Sequence, residues 1–212
     1  MDIYDELGVR KIINGNATLT SLGGSLMPPE VVAAMAEAAR YFVDIDELQE
    51  KVGRKIAEWT KNEAAYISCG AAAGLVLSTA ACITGLDPEK RASLPYTDGM
   101  RNEVIVHKCG RVGYDFAIRQ AGGKLVEIGS PQGAVVEDLE KAINDRTAAI
   151  FYFYNYHLMH GQIPLERGIE IAKSRGIPLI VDAAAQLPPV ENLWRFTQMG
   201  ADLALFNRSL CI

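Results

Sequence analysis

Residues 165–186 read LERGIEIAKSRGIPLIVDAAAQ, and this stretch decides the fold class of the chain. Its first part has the amphipathic pattern of a helix over 165–174, and Gly176 with Pro178 just beyond ends that helix. Residues 179–181 follow as a short run without polar side chains, which is typical of a strand buried on both faces of a sheet. The stretch therefore predicts one helix–strand unit of an α/β domain.

The same alternation runs through the chain from residue 64 onward. Apolar runs that predict strands cover 64–68, 103–107, 124–128, 148–153, 179–181 and 203–206. Predicted helices lie between most of these runs, over 71–83, 114–121, 135–143, 165–174 and 191–199. Apolar strands that are separated by helices indicate a parallel sheet covered on both faces. The predicted fold class is therefore α/β, a three-layer αβα domain with a mostly parallel sheet.

The N-terminal part of the chain has a different character. Residues 1–27 are rich in Gly, Asn, Thr and Ser, which predicts an irregular but ordered segment. Pro28 and Pro29 then begin a helix, and the spacing of apolar residues from Leu48 to Trp59 predicts a second one. We expect three parts: an irregular segment and helical arm over 1–62, a large domain over 63–206 and a tail over 207–212.

The composition is that of an ordinary globular protein. The chain has 212 residues, of which 49% are hydrophobic and 22% charged, so one large domain or two small ones can form a core. Its formal net charge of -5, from 21 basic and 26 acidic residues, gives no electrostatic reason to expect a nucleic-acid partner. The cysteines have no zinc-like spacing, and without a recognisable signal peptide we expect reduced thiols in a cytoplasmic protein with no metal site.

One uncharged stretch, residues 64–86, is long enough to raise the question of a membrane-spanning helix. Three glycines and several Ser, Thr and Ala residues interrupt this stretch. A buried strand followed by a buried helix explains the pattern better, so we expect no membrane partner.

Ligands of open parallel sheets bind beyond the carboxyl ends of the strands, so the residues after each apolar run are the candidates for a site. After the first run, Gly70, Ala71 and Ala72 open a helix with small side chains. Such a helix start can receive an anion on its backbone N–H groups, or it can simply pack closely on the sheet. Both interpretations stay open from this segment alone.

Three further runs end in polar residues. His107 ends the second run, where it could stack on a ligand ring, coordinate a metal or cap the sheet edge. Asn155 follows the fourth run within an aromatic stretch and is either part of the core or a ligand contact. Asp182 follows the fifth run, and an acid at the end of an apolar strand is costly to bury unless it pairs with a cation. This acid is the sharpest local signal in the chain.

Taken together in this order, the segments resemble fold-type-I pyridoxal-phosphate (PLP) enzymes, and among them the selenium-transferase-like family. That family includes L-seryl-tRNA selenium transferases and ammonia-lyases of the D-glucosaminate-6-phosphate type. The resemblance covers residues 1–206. It rests on LGVRKIING (7–15), TLTSLGG (18–24), CGAAAG (69–74), GYD with RQAG (113–115 and 119–122) and VDAAAQ (181–186).

The resemblance implies a role for each candidate residue. The phosphate of the cofactor would lie on the N–H groups of Gly70, Ala71 and Ala72. Asp182 would hold the pyridine nitrogen protonated, and this cation would explain the burial of the acid. Ala184 would stack on one face of the cofactor ring and His107 on the other. Asn155 and Gln186 would contact the ring hydroxyl or the substrate. Arg111 would make a bidentate contact to a substrate carboxylate or phosphate.

The chain departs from the family pattern after the last predicted strand. There the family reads Ser-Gly-Gly-Lys, and its lysine forms a Schiff base with the cofactor. This chain reads NRSLCI over 207–212, with Leu210 at the place of the lysine and Asn207 where a phosphate-contacting serine is expected. We therefore assign no catalytic residue and expect non-covalent binding of the cofactor at best.

Two explanations fit this departure. The favoured one is a gene product truncated before the Schiff-base lysine, an inactive fragment that lacks the C-terminal small domain. In that case the antiparallel strand that the family places between the runs 64–68 and 203–206 is missing, which leaves both runs without a neighbour on one side. The alternative is a non-catalytic pseudoenzyme, or a partner that assembles with an intact paralogue.

The implied activity is that of a PLP-dependent lyase or transferase, which removes the Cα proton of an amino acid or amino-sugar acid and then eliminates or replaces the β-substituent. We favour ammonia-lyase chemistry on a small anionic substrate over selenium transfer to tRNA, because the chain has no excess of positive charge. Family members are homo-oligomers, and we expect the same here. A nicotinamide-binding Rossmann oxidoreductase shares the alternating architecture, but the chain lacks its glycine fingerprint.

Overall fold

The computed structural model describes residues 2–15, 19–154 and 159–207, so that Asn155 and Leu210 lie outside the described residues. The chain contains two compact units, of which the first runs to Asp44 and the second from Ile45 to Asn207. Each unit has its own internal contacts and is described separately below.

In its described residues, the first unit has two α-helices, α1 (Ile3–Glu6) and α2 (Pro29–Ala38), and a short 3-10 helix over Thr20–Leu22. Pro28 is the N-cap residue of α2 and Pro29 its first residue, which confirms the predicted helix start. Neither α-helix has a buried residue. The second predicted helix belongs to the other unit.

The second unit is an α/β domain. Its helices are α3 (Ile45–Thr60), α4 (Ala71–Thr84), α5 (Pro88–Ser93), α6 (Phe116–Gln120), α7 (Val136–Ala142), α8 (Leu165–Arg175) and α9 (Asn192–Met199). Its strands are β1 (Glu103–His107), β2 (Lys124–Ile128), β3 (Thr147–Phe153), β4 (Leu179–Asp182) and β5 (Leu203–Leu205). Neighbouring strands are parallel, in the order β2-β1-β3-β4-β5. The predicted α/β class with a parallel sheet is therefore confirmed.

Helices cover both faces of this sheet. On one face, named here the α8 face, strand residues cluster with Leu139 of α7, Ile169 of α8 and Phe196 of α9. On the other face, the α4 face, they cluster with Leu75 of α4 and Ile118 of α6. Every residue of β1 and β3 is buried, which explains why both strands consist mostly of apolar residues. The domain thus has the predicted three layers.

Residues 64–68 differ from the prediction, because they form no strand. The segment runs from α3 to α4 and is largely exposed, with Tyr66 at 72% of its full accessibility. A strand needs ladder partners for its N–H and C=O groups, and no strand of the described residues pairs with this segment. Two short helices, α1 and α5, are also present that the sequence patterns did not predict.

The second half of the uncharged stretch 64–86 forms α4, a helix of 14 residues. It buries Leu75 and Ile83, so its apolar composition is explained by contact with the core. Of the helices within the described ranges, none combines the length and the apolar composition that crossing a bilayer requires.

A buried carboxylate organises the amino end of the sheet. Glu103 begins β1, and its side chain is only 5% exposed. Its Oε1 atom lies 2.5 Å from Nη2 of Arg146, and its Oε2 atom accepts a hydrogen bond of 2.8 Å from Nδ2 of Asn144. These partners follow α7 and precede β3, so the carboxylate ties β1 to the start of its neighbouring strand.

We expect Glu103→Gln to lower the free energy of unfolding by about 1–2 kcal/mol, because the buried side chain loses a charge-assisted hydrogen bond while the exposed cation of Arg146 stays hydrated. Chemical denaturation measures this change. The matched control is Glu170→Gln, which removes the same charge from an exposed ion pair with Arg167 and should cost less than about 0.5 kcal/mol. Equal losses for the two variants would contradict a structural role of Glu103.

Candidate functional site

Asp182 ends β4 at the carboxyl edge of the sheet. Its Oδ1 atom accepts a hydrogen bond of 3.0 Å from the backbone N–H of Ala184. Burial raises the pKa of this carboxyl, and the hydrogen bond from Ala184 opposes the rise only in part. No cation of the described residues forms an ion pair with it. The site therefore contains an acid whose charge the described residues leave without a positive partner.

The start of α4 is open to a ligand. Gly70 is the N-cap residue with φ +116, a conformation that favours glycine, and no side chain caps the helix. Ser68 Oγ instead donates a hydrogen bond of 3.0 Å to the carbonyl of Gly70. Because the first turn consists of alanines, the side chains there are small and none is acidic. We name residues 68–72 the phosphate turn, after the phosphate contact that the sequence predicts for Gly70, Ala71 and Ala72.

The phosphate turn and Asp182 lie on the same face of the sheet. Asp182 pairs with Leu205 of β5 in the parallel ladder, and side chains of paired residues in a parallel ladder point to one face. Leu205 packs on the α4 face, where its Cδ2 atom lies 3.0 Å from the position that a Cβ atom of Gly74 would take. A chain of direct contacts therefore connects the acid to the first turn of α4.

His107 ends β1 but faces the other way. Its ring makes an edge contact with Tyr152, with 4.6 Å between the ring centroids, and Tyr152 belongs to the cluster of the α8 face. The side chain is 2% exposed, and neither ring nitrogen has a hydrogen-bond partner among the described residues. Burial lowers the pKa of His107 to about 4, so the ring is neutral at pH 7. The structure thus does not bring His107 and Asp182 to one face, and the predicted ring sandwich stays a prediction.

Gln186 lies in the loop after β4, close in sequence to Asp182. Its side chain is buried, and its Oε1 atom has no partner among the described residues. The backbone of Gln186 is held on both sides, since its N–H donates to Ala183 and its carbonyl accepts from Nδ2 of Asn192. An unpartnered buried acceptor is compatible with the predicted contact to a hydroxyl group.

Arg111 is already engaged. Its guanidinium forms ion pairs with Asp115 and Glu127, and the bond to Asp115 is the main reason that its pKa is raised. It lines an open cleft of about 530 Å³ together with Arg119 and Lys124, beside β2. Since β2 and β4 are separated by two strands, this cleft is not the site around Asp182. A substrate anion would have to compete with two carboxylates for Arg111, and its predicted substrate role stays a prediction.

Two features of the site escaped the sequence patterns. Ser68 fixes the carbonyl of Gly70, although a single serine before a glycine carries no specific signal. Leu205 connects Asp182 to α4 through contacts between residues more than a hundred positions apart, which no local pattern can reveal. The predicted residues Asn155 and Leu210 lie outside the described residues.

The described residues fit PLP on two observations. The start of α4 offers backbone N–H groups without a side-chain cap, which suits a phosphate. The partly buried carboxylate of Asp182 has no cation among the described residues, and a protonated pyridine nitrogen would provide one. Both groups lie on the α4 face of the sheet.

The sequence comparisons agree with this chemistry. The family model described as SelA, L-seryl-tRNA selenium transferase, matches residues 12–196. The D-glucosaminate-6-phosphate ammonia lyase of Salmonella typhimurium (strain 14028s / SGSC 2262) is 39% identical over 211 residues, which cover 97% of this chain and 56% of the relative. The 5'-C-glycyluridine monooxygenase-decarboxylase of a Streptomyces species is 34% identical over 96% of this chain and 52% of its own length. The chain thus spans about half the length of these relatives.

The structural comparisons agree with the sequence comparisons. A solved structure of D-glucosaminate-6-phosphate ammonia-lyase matches with a TM-score of 0.93 and 38% identity, over 99% of this chain and 57% of that one. Alanine aminotransferase from Pyrococcus furiosus matches with a TM-score of 0.52 and 21% identity over 86% of this chain and 47% of that one, which shows a shared fold. These results confirm the resemblance seen in the sequence. The chain belongs to the L-seryl-tRNA selenium transferase (SelA) family of PLP-dependent enzymes.

Proposed function

We propose that this chain contains the PLP-binding part of a lyase of the ammonia-lyase type, with residues 63–206 as the cofactor-binding domain. The observation that carries the proposal is the partly buried carboxylate of Asp182, which has no cationic partner among the described residues and lies on the same face as the uncapped start of α4. The 39% identity to a D-glucosaminate-6-phosphate ammonia lyase supports this chemistry over selenium transfer, since a selenium transferase of Nitratidesulfovibrio vulgaris is 27% identical.

Each part of the cofactor has a candidate partner. The N–H groups of Gly70, Ala71 and Ala72 would hold the phosphate, and the carboxylate of Asp182 would accept a hydrogen bond from the protonated pyridine nitrogen. When bound and protonated, PLP supplies an electron sink for the electron pair left at the substrate Cα. Ala184 is proposed to bound one face of the ring, and His107 would bound the other only after turning away from Tyr152 on the α8 face. Asn155 and Gln186 are proposed to contact the ring hydroxyl group or the substrate.

The proposed substrate is a small anionic amino acid or amino-sugar acid. An ammonia-lyase removes the Cα proton and eliminates a β-substituent, so the substrate carries an amino group beside a carboxylate. Arg111 lies in a separate cleft, so it is proposed to meet only a carboxylate or phosphate group of the substrate that extends beyond the site around Asp182, and it would exchange one of its present carboxylate partners for that group. We further propose that the protein works as a homo-oligomer, as we expect from the family.

Leu210 stands where the family has the lysine that binds the cofactor covalently. A leucine side chain has no nucleophilic group, and it cannot shuttle a proton. We therefore propose that this chain binds PLP reversibly and does not turn over a substrate. The alternative functions compatible with this residue are those of a pseudoenzyme or of a partner in a mixed oligomer.

Titration of the chain with PLP, followed by dialysis with and without prior borohydride reduction, tests the proposal. We expect saturable binding that dialysis reverses, with no stoichiometric pyridoxyl group on any one lysine by peptide mass spectrometry. Addition of D-glucosaminate-6-phosphate should release no ammonia. A single lysine that is labelled to completion would show that this lysine replaces the Schiff-base lysine of the family. The absence of saturable binding would refute the proposed cofactor site.

A further inference from the structure

The phosphate turn follows a segment that has no strand partner. Residues 64–68 end in Ser68, the first residue of the phosphate turn, and they form no ladder with the described strands. Tyr66 and Ile67 in this segment are exposed. A chain segment without ladder hydrogen bonds is held in place only by its other contacts. The position of the phosphate turn therefore depends on whatever contacts fix residues 64–68.

One face of α3 provides two of these contacts. Gln49 and Gly53 are four residues apart and so lie on the same side of the helix. Nε2 of Gln49 donates a hydrogen bond of 3.0 Å to the carbonyl of Ile67. A Cβ atom on Gly53 would come within 2.4 Å of the carbonyl oxygen of Ala65, so the helix backbone and the segment touch directly. Only glycine permits this close approach.

Asn62 provides a third contact, at the junction between α3 and the segment. Its Nδ2 atom donates a hydrogen bond of 2.8 Å to the carbonyl of Leu193, and its Oδ1 atom accepts one of 2.5 Å from Oγ1 of Thr197. Both partners belong to α9, the helix that precedes β5. The backbone N–H of Asn62 donates a hydrogen bond to the carbonyl of Ala57 in the last turns of α3. Asn62 thus joins the start of the segment to α9, the helix that leads into β5, and β5 carries Leu205, the ladder neighbour of Asp182.

We propose that Gln49, Gly53 and Asn62 are positioning residues for the cofactor phosphate. They touch the segment 64–68 and α9, and they set the place of the phosphate turn relative to Asp182. The inference rests on the proposed PLP site and adds the residues that determine its geometry. It assigns a function to α3, whose apolar spacing in the sequence indicated only a helix.

A comparison of PLP with pyridoxal, which lacks the phosphate, tests this role. For Gly53→Ala and Asn62→Ala we expect the dissociation constant of PLP to rise about tenfold, because hydrogen bonds to the charged phosphate are lost or misaligned. The dissociation constant of pyridoxal should change less than about twofold, since its ring contacts are retained. Gln49→Ala should have the same selective effect on PLP to a smaller extent. Because Gln49 lies nearer the surface, this variant can be measured even if the other two fail to fold.

Two matched controls exclude a general loss of stability. Gly168→Ala also adds a Cβ atom to a buried helical glycine, where it would meet Oη of Tyr152 on the α8 face. Asn144→Ala removes an asparagine bonded to Glu103 at the amino edge of the sheet. Both should lower the thermal stability and leave the ratio of PLP to pyridoxal affinity unchanged.

Amide hydrogen exchange of the cofactor-free chain adds a readout that is independent of binding. In Gly53→Ala and Asn62→Ala, the amides of residues 65–70 should exchange faster, while those of β1 and β3 keep their protection. If the wild type prefers PLP over pyridoxal and all three variants keep this preference with unchanged amide exchange, the positioning role is wrong while the proposed phosphate site stands. A wild-type chain that binds PLP and pyridoxal equally would overturn the proposed phosphate site and this inference with it.

Discussion

Asp182→Asn should lower the affinity of the chain for PLP about a hundredfold. The asparagine keeps the size of the side chain but cannot balance the charge of a protonated pyridine nitrogen, and a lost buried ionic hydrogen bond has an effect of this size. Titration followed by absorbance or fluorescence measures the dissociation constant. Pyridoxal should lose affinity to the same extent as PLP, because the ring nitrogen is common to both compounds.

Without the cofactor, Asp182→Asn should not lower the stability of the folded chain. Burial raises the pKa of Asp182 in the folded chain above its unfolded value, so the folded state binds the proton more tightly. This contribution to stability is present at low pH and is lost as the pH rises through the raised pKa. Asp182→Asn removes that loss, so the cofactor-free variant should be no less stable than the wild type at pH 7.

Asp202→Asn is the matched control for this prediction. Oδ2 of Asp202 accepts a hydrogen bond of 2.8 Å from the N–H of Leu179, at the other end of β4. The substitution is chemically identical but lies at the amino edge, so it should lower stability and leave PLP affinity unchanged. If Asp202→Asn and Asp182→Asn weakened PLP binding equally, Asp182 would have no specific part in holding the cofactor.

His107 should make the fold sensitive to acid. Its pKa falls from 6.5 in the unfolded chain to about 4 in the fold, because the buried ring cannot be solvated when charged. The unfolded state therefore binds the proton more tightly, and stability is fully present above pH 6.5 and is lost as the pH falls toward 4. The pKa difference corresponds to about 3 kcal/mol. Denaturation curves at a series of pH values measure this loss.

His107→Leu should remove most of this acid-dependent loss, since leucine stays neutral at every pH. Its stability at pH 7 can fall through lost packing against Tyr152, so the informative quantity is the slope with pH rather than the absolute stability. The control is His160→Leu, which changes an exposed histidine and should keep the wild-type slope. An unchanged slope in His107→Leu would assign the acid sensitivity to other groups.

Much of the fold follows from local patterns. The predicted limits of β1 and β2 agree with the structure, and β3 and β4 each differ by one residue. The helices α4 and α8 also lie where the spacing of apolar residues indicated. Strands covered on both faces need apolar side chains at successive positions, and that requirement is visible without knowing their partners. The segment 64–68 shows the limit, because its apolar run satisfies the same pattern but no described strand pairs with it.

Some residues of the candidate site were also recognisable from the sequence, and others were not. Asp182 and Gly70 were recognisable because a buried acid and a helix start made of small residues are unusual on local grounds alone. The orientation of His107 was not recognisable, because the face that a strand end presents depends on the register of the whole ladder. The same holds for Arg111, whose partner Glu127 lies on a neighbouring strand.

Local patterns alone were enough to establish the α/β class, the order of the elements and the family, and they supplied the candidate residues of the proposed cofactor site. These properties rest on short-range periodicity and on motifs whose residues are neighbours in the chain. The tertiary structure alone decided that Asp182 and the phosphate turn share one face, that His107 points to the other, and that α3 supports residues 64–68. Those facts depend on contacts between residues distant in the sequence, and only the packing of the elements brings such residues together.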